Sequence, residues 1–193
     1  MSLRLFVAVV PPAAVREEAR RAADHLRSTL PGLKARFADP HATHLTLLFL
    51  GRVPAVERST VERRLSEALH RAAPLVVATA GLGAFPSVRR PSVVWLGIDD
   101  RDARLTALQA VVGRALAGVA PGDRDPRFVP HLTLARIAER DHQRRAQLAA
   151  ALGAFRPAPA TWRVEEVALF RSELLPDGAR HHVLARWPLT GTA

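Results

Sequence analysis

The stretch His44-Leu45-Thr46-Leu47-Leu48-Phe49-Leu50-Gly51 returns in its first four letters 87 positions later, as His131-Leu132-Thr133-Leu134. In an extended strand, residues i and i+2 share a face. The His and Thr of each tetrapeptide therefore point one way, while Leu45, Leu47, Leu132 and Leu134 point the other way into apolar packing. A proline-bearing turn precedes each motif, Asp39-Pro40-His41-Ala42 in one case and the segment ending at Pro130 in the other. Each motif is thus expected to open a strand. If an approximate two-fold axis relates them, the two strands face one another across a cleft and gather two imidazoles and two hydroxyls around one small anion.

That set of groups suits phosphoryl transfer. In-line attack on a cyclic phosphate needs a base for the water proton, an acid for the departing ribose oxygen, and donors for the charged equatorial oxygens. An imidazole, with an ordinary pKa of about 6.5, serves as either acid or base near neutrality, and threonine serves as donor. A lone His-x-Thr on a strand is ordinarily a satisfied surface or core pair. The second copy in a matching context is what points to a paired site.

Working outward, Leu3 to Val10 reads as a strand closed by Pro11-Pro12. A helix follows from about Ala13 to Thr29, with Val15, Ala19, Ala22 and Leu26 on one face. Strands are expected at 44–50, 75–80, 92–98, 131–137, 163–172 and 180–187, and helices at about 55–72, 102–118 and 141–152. The Gly/Pro-punctuated stretch Gly81 to Pro91 reads as a loop open to substrate. Strands and helices mix through both halves with no low-complexity tract or long linker, so the expected fold is a mixed α/β (α+β) domain spanning residues 1–193.

Charge and composition narrow the partners. There are 28 basic and 18 acidic residues, a formal charge of +10, and Lys34 is the only lysine. Arginine presents a planar fork of donors suited to phosphate, so a polyanionic partner is expected. The chain has no cysteine, which excludes disulfides, thiolate metal sites and a thiol nucleophile. The apolar run Leu5 to Val10 is too short to span a bilayer and reads as a buried strand of a cytoplasmic protein.

Weaker candidates surround the motifs. Arg127 and Arg136 flank the second motif and are candidate phosphate ligands, although strict alternation puts Arg136 on the face opposite His131 unless the strand bends. Phe49, Phe85 and Phe128 are candidates for stacking a base, with core packing as their ordinary use. His41, His181 and His182 lack further ligands at metal-binding spacing beside His44 or His131, so no metal site is expected. His25, His70 and His142 fall on expected helices among charges and read as exposed and without a role.

A resemblance covers nearly the whole chain. It rests on Arg4-Leu5-Phe6-Val7-Ala8-Val9, on the first motif through Gly51, and on Gly81-Leu82-Gly83-Ala84-Phe85-Pro86 with Val94-Trp95-Leu96-Gly97. It extends through Phe128-Val129-Pro130-His131-Leu132-Thr133-Leu134-Ala135-Arg136 and Leu169-Phe170-Arg171-Ser172. On these residues the chain resembles the 2H phosphoesterase superfamily, most closely its bacterial RNA 2',3'-cyclic phosphodiesterase branch, historically called 2'-5' RNA ligase.

The resemblance implies a bilobal fold, with two pseudo-symmetric lobes, each an antiparallel-rich sheet with outer helices, around a central cleft. It implies a monomer without metal or cofactor that opens the 2',3'-cyclic phosphate of an RNA or oligonucleotide end to a 2'-phosphate. His44 is then the proton donor and His131 the proton acceptor, with Thr46 and Thr133 beside them. The chain departs from the family in having Arg36-Phe37 before the first motif, where a Trp is frequent. Ligation by the reverse reaction, and a non-catalytic module that grips a terminal phosphate, are the alternatives.

Overall fold

A computed structural model describes residues 1–119, 128–138, 142–158, 160–175 and 178–192. The elements are β1 (Ser2–Val9), α1 (Ala13–Thr29), β2 (Ala35–Phe37), β3 (Leu45–Pro54), α2 (Arg58–Leu69), β4 (Leu75–Phe85) and β5 (Val93–Asp99). They continue with α3 (Arg104–Ala115), β6 (His131–Ile137), α4 (His142–Ala154), β7 (Thr161–Val164), β8 (Glu166–Leu175) and β9 (Gly178–Pro188). The strands form two antiparallel sheets, one ordered β3-β1-β8-β9 and the other β2-β6-β5-β4-β7. Helices α2 and α3 pack on the first sheet, whereas α1 and α4 pack on the second.

Neither sheet is a half of the chain. Strand β2 leaves the N-terminal half to pair with β6, and β8 and β9 return from the C-terminus to extend the first sheet beside β1. One continuous cluster of buried side chains joins both layers, with Val15 and Leu26 from α1, Leu65 from α2, Leu105 from α3 and Leu148 from α4 meeting Leu45, Leu96, Leu132 and Leu169 from the strands. Burial of such aliphatic side chains contributes roughly 1.5–3 kcal/mol each. A buried carboxylate helps seat α1 on its sheet: Glu18 accepts from Arg21 on the same helix and from the Ala158 backbone N–H, so its charge is not left unpaired.

The first sheet has apolar side chains on both faces. Leu5, Val7 and Val9 enter the main core, while Phe6, Ala8, Ala168 and Phe170 form a small separate cluster on the opposite face. That second face is the floor of the site.

Several expected boundaries are corrected. The stretch Gly81 to Phe85 is not loop but the end of β4, paired with β5 as Gly83↔Trp95 and Phe85↔Val93. Gly83 has a packing reason: a Cβ there would meet the Trp95 ring at 2.2 Å, so the glycine admits the indole rather than marking a turn. The single strand expected at 163–172 is two strands. The chain changes sheets at Glu165, with β7 pairing to β4 and β8 to β1; no Gly or Pro marks the switch. The helix expected at 55–72 is a 3₁₀ turn at Ala55–Glu57 followed by α2. Among the described residues, no helix is long and apolar enough to cross a membrane.

Candidate active site

The first motif lies along the inner face of the first sheet. Leu45 and Leu47 are buried in the main core, and His44 and Thr46 are half-buried on the other face. Before it, Asp39 accepts a hydrogen bond from the His41 N–H and Thr43 Oγ1 donates to the Asp39 carbonyl, which fixes the turn that delivers His44. His44 Nδ1 lies 2.9 Å from the Ala42 carbonyl oxygen. A carbonyl only accepts, so the neutral ring carries its proton on Nδ1 and keeps Nε2 as its basic nitrogen. The imidazole lies 4.7 Å from the Phe6 ring and 6.0 Å from Phe170, and Phe6 and Phe170 stack at 5.0 Å with 6° between their planes.

The second motif repeats this arrangement on β6. Leu132 and Leu134 are buried, while His131 and Thr133 are half-buried. His131 Nδ1 lies 2.7 Å from the Val129 carbonyl, again two residues back, so Nε2 is again the free nitrogen. Phe85 meets the ring edge-on at 5.0 Å, and Trp95 lies 6.0 Å away. His131 is registered opposite Gly97, and Thr133 opposite Trp95. Neither threonine hydroxyl has a hydrogen-bond partner among the described residues.

Electrostatics separates the two imidazoles. Burial pushes His44 down to about 4, assisted by the neighbouring His181 and His131, while the hydrogen bond to Ala42 opposes the shift. Burial also lowers His131, opposed by its bond to Val129. Desolvation disfavours the charged imidazolium, and each ring resists a proton further when another carries one. His131 is among the groups that lower His44, and the strands that carry the two motifs, β3 and β6, are in contact. Two basic nitrogens with two unengaged hydroxyls can take a proton from one oxygen, give one to another, and hold an anion between them.

The other sequence candidates separate. Arg136 is exposed and lies on the same face as His131 and Thr133, which corrects the expectation from strict alternation. A register shift between Val94 and Trp95 leaves Leu134 and Ala135 both buried, so Arg136 comes opposite Val93 on the inner face. Arg127 lies outside the described residues. Phe49 is 49% exposed beside Phe6, at 5.8 Å between rings, whereas Phe128 is half-buried and packs against the main core. His25 is not exposed and idle: its Nε2 lies 3.0 Å from the Ala151 carbonyl and its ring packs on Phe155, tying α1 to α4. His182 faces Glu173 at 3.2 Å. Among the described residues, no group of three His, Asp or Glu is arranged to hold a metal ion.

Sequence reasoning missed His181, Phe6, Phe170 and Trp95. His181 meets His44 edge-on at 4.9 Å and Phe6 at 5.0 Å, and its Nδ1 is buried with no hydrogen-bond partner among the described residues. The same is true of Trp95 Nε1. The signal for Phe6 and Phe170 was present as runs apolar at every position, which indicate a strand covered on both faces but not what covers the second face.

Comparison with known proteins agrees with this geometry. The family described as the 2'-5' RNA ligase superfamily matches residues 11–174. The chain is 30% identical over 192 residues to an RNA 2',3'-cyclic phosphodiesterase of Aquifex aeolicus, covering 98% of each, and 32% identical over 181 residues to one of Methanothermobacter thermautotrophicus, covering 92% of this chain and 94% of the relative. Among solved structures it is similar to TT0787 of Thermus thermophilus, with a TM-score of 0.76 and 31% identity over 98% of this chain and all of the other. It is also similar to Escherichia coli LigT complexed with 3'-AMP, with a TM-score of 0.73 and 27% identity over 98% and 99% of the two chains. By its two His-x-Thr strands, its paired sheets and these matches, the chain belongs to the 2'-5' RNA ligase superfamily.

Proposed function

We propose that this protein is an RNA 2',3'-cyclic phosphodiesterase. The observation that carries the reading is the paired set of imidazoles, each with Nδ1 bound to the carbonyl two residues back and Nε2 without a hydrogen-bond partner among the described residues. His131 Nε2 accepts a proton from water as the water oxygen bonds to phosphorus. His44 donates a proton to the 3'-oxygen as the bond from that oxygen to phosphorus breaks. The product is a 2'-phosphate beside a 3'-hydroxyl, and Thr46 and Thr133 donate to the equatorial oxygens throughout. The proton on His44 is acquired with the substrate, because a phosphate anion beside a buried imidazole raises its pKa.

Phe49, exposed beside Phe6, offers a face for the terminal base, and Arg136, on the face of His131 but five residues beyond it, offers a contact to a further phosphate of the substrate. The reading includes a single domain over residues 1–193 acting as a monomer in the cytoplasm without a metal ion. Phosphorus NMR of a 2',3'-cyclic nucleotide incubated with the protein in excess EDTA tests it. The expected result is a 2'-phosphate from the unaltered protein and none from His44→Ala or His131→Ala. Binding without turnover, or a loss at His131→Ala no larger than at His70→Ala, would sink the assignment.

A further inference from the structure

Two arginine pairs stand on the inner faces of the sheets. In the first sheet Arg4 is registered directly opposite Arg52 across β1 and β3, and in the second Arg36 is opposite Arg136 across β2 and β6. Their faces follow from the neighbours. Arg4 alternates with Leu3 and Leu5, which enter the core, and so shares the side of Phe6 and Ala8. Arg36 is flanked by Ala35 and Phe37, with Phe37 packed against the core under Arg27 of α1, so Arg36 points away from α1. All four arginines are exposed, and none has an ion pair or hydrogen bond among the described residues.

On the outer helices arginine is paired in a different way. On α1 and α2, Arg20, Arg21, Arg27, Arg58 and Arg63 each hold a carboxylate three or four residues away. Like charges placed directly opposite on adjacent strands repel. Here that arrangement occurs twice, once on each catalytic strand and on the side of its His-x-Thr motif. Arg136 is five residues beyond His131, roughly 16 Å of extended backbone, which suits a phosphate other than the one between the imidazoles.

We propose that Arg4 with Arg52 and Arg36 with Arg136 form two subsites for the backbone phosphates of single-stranded RNA, so that the site is built for an RNA end carrying further nucleotides rather than for a lone cyclic nucleotide. The inference rests on the phosphodiesterase reading above. A phosphate between two opposed guanidiniums relieves their repulsion and accepts from both forks.

The test compares a 2',3'-cyclic mononucleotide with a short single-stranded RNA ending in the same group, using Arg4→Gln/Arg52→Gln and Arg36→Gln/Arg136→Gln proteins. For each double variant, kcat/KM on the RNA is expected to fall at least about tenfold more than on the mononucleotide, through KM. RNA binding should lose about 0.7 of log-log salt slope for each phosphate contact removed. Arg52→Glu supplies the control for folding, because it replaces repulsion with an ion pair to Arg4. It should hold or raise Tm while weakening RNA binding. Equal losses on both substrates, or no loss on RNA, overturn the proposal. If the unaltered protein turns over neither substrate, the phosphodiesterase reading fails, and RNA binding by fluorescence anisotropy, with its salt slope in the same variants, still decides the arginine subsites.

Discussion

His44 and His131 each commit Nδ1 to a backbone carbonyl, which fixes the tautomer and turns two flexible rings into oriented ones. Their pKa values give the pH profile a sign. The proposed reaction needs a protonated donor and a neutral acceptor, and both rings lie below the ordinary 6.5. The kcat/KM profile, which reports the unliganded protein, is therefore expected to peak on the acid side of 6.5. The kcat profile should peak at higher pH, because bound phosphate raises the pKa of the imidazole beside it. Coincident optima would contradict this coupling. His181 adds to the depression of His44, so His181→Phe should move the His44 titration upward, as read by histidine NMR. The fold should tolerate the change, since Phe85 meets His131 edge-on much as His181 meets His44. In the proposed reaction, Thr46→Val and Thr133→Val each remove one donor to developing charge and are expected to lower kcat roughly tenfold to a thousandfold.

At the scale of elements, small departures from regular strand geometry decide what faces the cleft. The extra residue in β6 lets Leu134 and Ala135 both bury and carries Arg136 to the face of His131 and Thr133. In β3, register shifts around Leu47 and Leu50 keep Thr46 and Phe49 on one face although they are three positions apart. Trp95 lies across β4 because Gly83 has no side chain, and it backs the half-site of His131. Gly83→Ala forces the indole or the strand to move. It should cost about 1–3 kcal/mol by urea titration and reduce turnover as well, whereas Gly113→Ala on α3, where nothing lies within 4 Å of the added Cβ, should not destabilise.

At the scale of the molecule, the exchange of strands between sheets binds the halves together. The N-terminal half supplies β2 and β4 to the second sheet, and the C-terminal half supplies β8 and β9 to the first. The floor of the His44 half-site accordingly includes Phe170 and His181, more than a hundred residues away in sequence. Residues 1–91 alone would leave β1 without its β8 neighbour and Phe6 without Phe170, and should give a collapsed NMR spectrum. Co-expression with residues 92–193 should restore dispersion and cyclic-phosphate hydrolysis together. A well-dispersed spectrum from either half alone would contradict the shared core.

The chain order of Leu45, Leu47, Leu132 and Leu134 against His44, Thr46, His131 and Thr133 was sufficient to determine which side chains enter the core and which face the site, because alternation along a strand is a local property of the backbone. The mixed fold class and the strand starts at both motifs were legible for the same reason. Tertiary structure alone decided that β7 and β8 belong to different sheets, that Arg136 joins the face of His131, and that Phe6, Phe170 and His181 surround His44 while Trp95 backs His131. Each of these depends on register between strands distant in sequence, and a run such as Leu5-Phe6-Val7-Ala8, apolar at every position, reads the same whichever face is covered by core and whichever by an active site.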